Sequence, residues 1–214
     1  MASQEPTSDI ILTLPNNITV RRYRLTDAES LATHGNNKRI WNNLRNRMPH
    51  PYTLADSQTW INTCSDTSNW VASGPYTPSP NGGAGGTASG EAVPTNYVIC
   101  FNHEAVGSIG LTFNDPYDVY ARSAEIGYWL GEAHWGRGVM SSVVPAFIAW
   151  GWKTFGRLVR MNGCVDPANG ASRRCLEMAG FVIEGRRKLA FVKNGELRDE
   201  LFLGMLRPGL DTDD

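Results

Sequence analysis

The chain has 214 residues, of which 41% are hydrophobic, so it is long enough for one domain with a sizeable core. Its 20 Lys and Arg residues nearly balance 21 Asp and Glu residues, which argues against a broad surface for nucleic acid or an anionic membrane. No apolar run approaches the roughly 18 residues of a membrane span, and the N-terminal sequence lacks the features of a secretion signal.

The first half of the chain is expected to begin with a polar extension over residues 1–17, within which residues 10–14 can pack as a short strand. Alternating side chains predict the first strand of the domain over residues 18–24. Capping residues and helical spacing then predict three helices. These helices are expected over residues 26–36, 37–44 and 53–64.

Residues 74–94 differ from the rest of the chain in composition. They contain several prolines and serines and a run of four glycines around Ala84. This composition predicts a flexible surface loop rather than a domain boundary, because long surface loops add little closure cost. A mobile lid over an acceptor cleft is the alternative interpretation.

The second half of the chain is predicted to consist of strands with two helices between them. The strands are expected over residues 97–101, 105–113, 123–130, 160–165, 181–192 and 197–205. The first helix is expected from the glycine turn to about residue 155, and Pro145 should kink it. The second helix is expected over residues 169–178. Together these elements predict an α+β fold with a mixed, mostly antiparallel sheet. We expect a single domain over residues 18–207 and a C-terminal tail over residues 208–214.

The most informative segment is a strand that contains Glu125 and leads into a glycine turn, Gly136-Arg137-Gly138, followed at once by a long apolar helix. Glycines allow a tight turn, and the start of a helix offers unpaired N–H groups and a positive dipole end. This arrangement suits a phosphate or diphosphate. The segment lacks the third glycine of a dinucleotide fingerprint and the Gly-Lys-Ser/Thr of a P-loop.

These motifs resemble the GNAT superfamily of N-acetyltransferases, in the branch of the RimJ/RimL ribosomal-protein acetyltransferases. Its diphosphate loop, Gln/Arg-x-x-Gly-x-Gly/Ala, corresponds to the segment from Trp135 to Met140, in which Trp135 replaces the polar residue and Met140 replaces Gly or Ala. The branch also has Gly-Tyr-Trp-Leu before the turn and Asn-x-x-Ser opening a helix that ends before Gly-Phe. Here these are residues 127–130, Asn169, Ser172, Gly180 and Phe181.

The resemblance covers roughly residues 18–205 and implies a three-layer sandwich whose twisted sheet is flanked by helices. It implies acetyl-CoA as the co-substrate and a primary amine as acceptor, either a protein N-terminus or a small molecule. Backbone N–H groups of the turn would bind the diphosphate and Asn169 the pantetheine arm. The implied cofactor-binding residues are Trp135, Gly136, Arg137, Gly138, Val139, Met140, Ser141 and Asn169.

Two residues are candidates for catalysis. Glu125, in an Ala-Glu-Ile strand, is expected to take the proton of the amine, and Ser172 is expected to serve the leaving thiolate. The alternatives are a Glu125 paired with Arg122 or Arg160, and a Ser172 bonded to its own backbone. Asn169 can equally be a helix N-cap, which is compatible with a contact to the ligand.

Further expectations concern partners and location. The histidines and cysteines show no metal-binding spacing, so no metal is expected. The four cysteines are expected to be reduced thiols and the location cytoplasmic. We expect a monomer or homodimer without a nucleic-acid or membrane partner. The alternative function is a non-catalytic acyl-CoA-binding protein of the same fold, and a pure interaction domain would bind no CoA.

Overall fold

The computed structural model describes residues 9–78 and 86–210. They belong to two compact units. The first unit contains the described residues up to Asn69, together with Asn96–Ile109 and Tyr128–Val143. The second unit contains the described residues of Trp70–Thr95, then Gly110–Gly127 and the described residues from Val144 onwards.

The described residues form twelve strands and five α-helices. The strands are β1 (Ile10–Leu14), β2 (Ile18–Arg21), β3 (Val71–Ala72), β4 (Tyr76–Pro78), β5 (Gly86–Ala88), β6 (Ala92–Val93), β7 (Asn96–Phe101), β8 (Glu104–Phe113), β9 (Ser123–Leu130), β10 (Arg160–Val165), β11 (Val182–Lys193) and β12 (Glu196–Leu206). The helices are α1 (Ala28–Gly35), α2 (Lys38–Trp41), α3 (Leu54–Ser65), α4 (Val139–Thr154) and α5 (Gly170–Met178).

Eight strands form one sheet in the order β1-β2-β7-β8-β9-β10-β12-β11. The pair β9–β10 is parallel, whereas β2–β7, β10–β12 and β11–β12 are antiparallel. The predicted α+β fold with a mixed, mostly antiparallel sheet is therefore confirmed. Strand β1 lies within the predicted N-terminal extension and pairs with β2, while residues 1–8 of that extension lie outside the described residues.

The first unit is organised around α1 and α3. Its buried cluster combines side chains of both helices with side chains of β7 and β8. The members are Tyr23, Ala28, Leu31, Ile61, Cys64, Val98, Cys100 and Ala105. Asp27 is the N-cap residue of α1, but its buried carboxylate makes no capping hydrogen bond to that helix. It accepts two 2.8 Å hydrogen bonds from Arg21 and one from the Arg24 N–H, because an isolated buried charge would be costly.

The second unit has a core of large apolar side chains from α4 and the strands beside it. Phe147 and Phe155 are fully buried, and the ring of Phe155 lies 4.8 Å from that of Phe113. Buried Arg157 donates to the Ala121 carbonyl through Nε at 2.9 Å, so its burial is compensated by a hydrogen bond.

Two tight turns between strands have residues in the left-handed backbone region. Asn194 and Gly195 join β11 to β12 with φ of 55° and 79°, which is the left-handed backbone that Asn and Gly tolerate. Asn102 and His103 join β7 to β8 with φ of 49° and 69°. The predicted strand over residues 123–130 and the strand over residues 160–165 are confirmed to the residue.

The segment over residues 74–94, for which a flexible surface loop is expected, contains short paired strands in the part that is described, and its flexibility stays a prediction. Strands β3 and β6 pair antiparallel, as do β4 and β5, and the Gly74 N–H donates to the Ser89 carbonyl at 2.6 Å. The two arms of the insert satisfy each other's backbone groups, which composition alone does not reveal. Residues 79–85, which include most of the glycine run, lie outside the described residues.

Within the part of the chain that the structure describes, no helix combines the length and the apolarity that crossing a membrane requires. All four cysteines are free thiols. The expectation of a single domain over residues 18–207 stays a prediction.

Candidate functional site

The glycine turn has the backbone conformation that its sequence requires. Gly136 and Gly138 have φ of 71° and 76°, a region that side chains other than glycine rarely adopt. A Cβ atom placed on either glycine would meet no atom within 4 Å. The glycines are therefore needed for the shape of the turn, and the space beside each of them is open.

Helix α4 begins directly after the turn. The first backbone hydrogen bond of the helix joins the Ser142 N–H to the Gly138 carbonyl at 3.1 Å. The N–H groups of Val139, Met140 and Ser141 thus precede the repeating pattern and belong to the positive end of the helix. Gly138 has no side chain that can cap them.

A polar cluster in the first unit holds the turn in place. Glu132 accepts a hydrogen bond from Asn37 at 2.7 Å and forms an ion pair with Arg39, both from α2 or its cap. The Arg39 guanidinium lies 5.1 Å from the centre of the Trp135 ring, and the indole N–H of Trp135 donates to the Leu130 carbonyl at 2.7 Å. Local sequence patterns do not predict the roles of Arg39 and Glu132, because the two residues are 93 positions apart.

Glu125 lies half-buried on β9, in the second unit, and pairs in register with Asn162 of β10. This is the last pair of the parallel ladder between the two strands, which begins at Ser123 and Arg160. Strand β10 continues to Val165 beyond that pair.

The two arginines that the sequence offers as partners of Glu125 make other contacts. Arg160 donates to the Asn162 side chain at 2.6 Å and forms an ion pair with Glu184. Arg122 donates to the Arg157 carbonyl at 3.2 Å.

The start of α5 brings Asn169 and Ser172 together. The Asn169 side-chain oxygen accepts the backbone N–H of Ser172 at 3.2 Å, so Asn169 is the N-cap of the helix. Both residues are half-buried. The cap uses the side-chain oxygen of Asn169, and the amide N–H₂ group of the same side chain is a separate hydrogen-bond donor.

His134 ends a 3-10 turn over Glu132–His134 and immediately precedes Trp135. Burial lowers the pKa of its imidazole below the usual value, and the positive charges of His34 and Arg137 act in the same direction. A neutral imidazole is therefore favoured beside the glycine turn.

The described residues contain the three features on which the resemblance to acetyl-CoA-dependent acyltransferases rests. These are a strand with a half-buried glutamate, a glycine turn at a helix start, and an Asn-x-x-Ser helix with an N-cap. A family model described as the acetyltransferase (GNAT) domain matches residues 17–182. The chain belongs to this acetyltransferase family, which confirms the family predicted from the motifs.

The similar proteins include acetyltransferases that act on ribosomal proteins. The ribosomal-protein-serine acetyltransferase of Escherichia coli is 31% identical over 48% of this chain and 55% of its own length. An uncharacterized N-acetyltransferase of Bacillus licheniformis is 30% identical over 55% of this chain and 64% of its own length. The chain thus matches only between about half and two thirds of the length of these relatives.

Solved structures share the fold. The RimJ protein of Mycobacterium smegmatis, in complex with CoA-disulfide, superimposes with a TM-score of 0.67 at 19% identity. The match covers 90% of this chain and 83% of that protein.

Proposed function

We propose that the protein is an N-acetyltransferase that transfers an acetyl group directly from acetyl-CoA to a primary amine. Membership of the acetyltransferase family supports the reaction class. The observation that carries the proposal is the glycine turn, whose two left-handed glycines lie directly before the start of α4. We assign the diphosphate of acetyl-CoA to the N–H groups of this turn and of the first turn of α4.

The pantetheine arm and the charge of the phosphates are assigned to residues of the strands, α5 and the glycine turn. The ladder of β9 and β10 ends at Glu125, so the backbone beyond it suits a pantetheine arm that pairs like an added strand. Asn169 offers amide hydrogens to the same arm, while its side-chain oxygen holds the helix cap. Arg137, exposed in the turn, adds a positive charge for the phosphates.

In the reaction, the nitrogen of the amine attacks the carbonyl carbon of the thioester. Glu125 takes the proton that the amine loses, directly or through a water molecule. The carbon–sulfur bond then breaks, and the CoA thiolate receives a proton through the Ser172 hydroxyl, which takes a proton from water in turn. Glu125 releases its proton to water, so both side chains return to their starting states. The products are the N-acetylated amine and free CoA.

We propose the N-terminal amine of a protein as the first acceptor class to test. The name of the Escherichia coli relative, a ribosomal-protein-serine acetyltransferase, supports a protein as the acceptor. A small-molecule amine is the alternative acceptor.

A non-catalytic acyl-CoA-binding protein is the second candidate function. It is favoured by Met140, which stands where the family motif has Gly or Ala, next to the proposed diphosphate site. This protein would bind acetyl-CoA without releasing CoA in the presence of amines.

The test incubates the chain with acetyl-CoA and a peptide that begins with a serine amine. We expect release of free CoA and a gain of one acetyl group by the peptide. A matched peptide with a blocked N-terminus and an internal lysine separates N-terminal from side-chain acetylation. Acetyl-CoA binding without turnover on either peptide or on small amines would favour the non-catalytic function.

Glu125→Gln tests the catalytic base in the same assay. We expect kcat to fall by about 10²–10⁴-fold, which is the usual contribution of a general base, while the acetyl-CoA Kd changes by less than about twofold. Glu196→Gln, at an exposed position of the β11–β12 hairpin, is the matched control. Equal kcat values in Glu125→Gln and the control would remove Glu125 from the mechanism.

A further inference from the structure

Three ligand-type side chains come together in the first unit although they are far apart in the sequence. His34 lies in the last turn of α1, Glu104 begins β8, and His134 ends the 3-10 turn before Trp135. Each offers one nitrogen or carboxylate oxygen, and these atoms all lie within 4.8 Å of one another. No short-range motif predicts this group, because its members are separated by 70 and 30 residues.

The neighbours of His34 fix the position of its ring. Its Nε2 atom lies 2.9 Å from Oε1 of Glu104. On the other side of the ring, a Cβ atom on Gly131 would lie only 2.7 Å from Nδ1, so the absence of a side chain at Gly131 allows the ring its position. The Ser30 hydroxyl lies 3.2 Å from the same Glu104 oxygen and 2.8 Å from the Ala105 carbonyl, which is its closer acceptor. The ring and the carboxylate are thus held facing each other before any ligand is considered.

His134 supplies the second observation. Its side chain is buried, with the whole residue only 8% exposed, and its Nδ1 atom is buried without a hydrogen-bond partner in the described part of the chain. A buried polar atom without a partner costs free energy, and such an atom in a native protein often marks an ion or ligand. The ring lies 5.1 Å from the ring of His34, centre to centre.

We propose that His34, Glu104 and His134 form a binding site for a divalent transition metal, with Zn²⁺ as the preferred ion. Two imidazoles and one carboxylate are a ligand set that zinc uses in proteins, with water completing the tetrahedron. Ligand atoms about 2 Å from zinc lie roughly 3.3 Å apart, so the group must contract by only about 1.5 Å at most. Glu104 is more than half exposed, which gives its carboxylate freedom to move and an open side for water.

The proposed metal would link α1, the start of β8 and the 3-10 turn within the first unit. It takes no part in the acetyl transfer proposed above, so the two proposals can fail independently. Its ordinary alternative is a hydrogen-bonded His34–Glu104 pair with no ion. The two alternatives differ in whether this group of side chains binds a metal ion at all.

The test titrates Zn²⁺ into the full chain by calorimetry after treatment with a chelator and desalting. We expect one equivalent to bind with a Kd in the micromolar range or below. Loss of an outer-shell partner already weakens zinc sites by about 10–100-fold, so Glu104→Gln and His34→Asn should each weaken binding at least tenfold. His103→Asn is the matched control, because His103 is exposed, adjacent to Glu104 and outside the group, and Asn tolerates its φ of 69°.

Cobalt identifies the ligands independently. Co²⁺ in the proposed site should show visible ligand-field bands that are lost in Glu104→Gln and His34→Asn and kept in His103→Asn. Circular dichroism of each metal-free variant shows whether it is folded, and the exposed position of Glu104 makes Glu104→Gln the safest variant. The proposal is overturned by an absence of saturable Zn²⁺ binding, by equal binding in wild type and Glu104→Gln, or by a thiolate charge-transfer band that assigns the ion to cysteine.

Discussion

The helices α4 and α5 begin in different ways. At α5, the Asn169 side chain accepts the Ser172 N–H, so the chain itself satisfies part of the first turn. At α4, the preceding residue is Gly138, which has a left-handed φ of 76° and no side chain with which to cap. Helix α3 resembles α5, because Thr53 and Asp56 form a reciprocal capping box there.

The difference indicates which helix start is built for a ligand. Side-chain caps typically stabilise a helix by about 1 kcal/mol relative to Ala, and a glycine offers no side-chain oxygen that accepts the first N–H groups. A helix start that is reached through two glycines with open space beside them lets an external anion approach the positive end of the helix. This comparison is the basis for assigning the diphosphate to α4, and four changes test it.

The largest effect is expected when α4 is given a cap of its own. Gly138→Asp places a carboxylate where it can accept the N–H groups of the first turn and repel the diphosphate. We expect acetyl-CoA affinity to fall by about 100-fold, or about 2.7 kcal/mol, which is the value of one or two charge-assisted hydrogen bonds. Calorimetric titration of acetyl-CoA measures the change.

Gly195→Asp is the matched control for that variant. Gly195 has φ of 79°, close to that of Gly138, but it lies in the β11–β12 hairpin. Asp tolerates this backbone region, so both variants carry a similar strain and the same charge. Similar acetyl-CoA affinities of Gly138→Asp and Gly195→Asp would contradict the assignment.

A smaller effect is expected when the cap of α5 is removed. Asn169→Ala should lower the free energy of unfolding by about 1 kcal/mol, whereas Asn169→Ser, which keeps a capping oxygen, should restore most of it. If the amide also binds the pantetheine arm, both variants should weaken acetyl-CoA binding by roughly tenfold, the value of one hydrogen bond. Urea unfolding and calorimetry separate the two roles. Full affinity in Asn169→Ser would leave Asn169 with the cap alone.

The contacts of Arg39 beside the glycine turn should contribute less to acetyl-CoA affinity. Arg39→Ala removes the ion pair with Glu132 and the contact with the Trp135 ring, both partly exposed. Exposed pairs of this kind contribute about 0.2–1 kcal/mol, so acetyl-CoA affinity should fall by no more than about fivefold. Lys38→Ala, at an exposed neighbouring position in α2, is the control. A loss as large as that of Gly138→Asp would mean that Arg39 binds the cofactor itself.

The smallest effect concerns pH and the capped start of α3. Hydrogen bonds from the Thr53 side chain and backbone lower the pKa of Asp56 below its ordinary value of 3.8. The stabilising contribution of Asp56 is therefore fully present above about pH 4 and is lost as the pH falls through the lowered pKa. Thermal unfolding followed from about pH 5 to pH 2.5 should show a shallower acid dependence in Asp56→Asn than in the wild type. Parallel curves for the two proteins would show that the capping box does not contribute.

Much of the framework can be predicted from local patterns. Asn194-Gly195 fixes the last hairpin, and the strand that carries Glu125 has the predicted bounds because its apolar residues end at glycines and turns. The glycine turn is also predictable, since left-handed backbone favours glycine wherever it occurs.

The remainder depends on contacts between residues far apart in the chain. The short β-pairs on both sides of residues 79–85 arise from pairing of two arms whose composition suggests a loop. The Asp27 carboxylate neutralises buried Arg21 instead of capping α1, because the cost of an unpaired buried charge exceeds that of a missing cap. The His34, Glu104 and His134 group likewise exists only once the strands and helices are placed.

The central claim is that the turn and the first turn of α4 bind the diphosphate of the cofactor. The most direct measurement is a titration of the ¹⁵N-labelled chain with CoA, in which assigned amide resonances are followed by two-dimensional NMR. We predict large shifts for Gly136, Gly138 and the residues from Val139 to Ser141, with little change at Leu54–Asp56 in the capped start of α3. Unchanged resonances from Gly136 to Ser141 at saturating CoA would contradict the account.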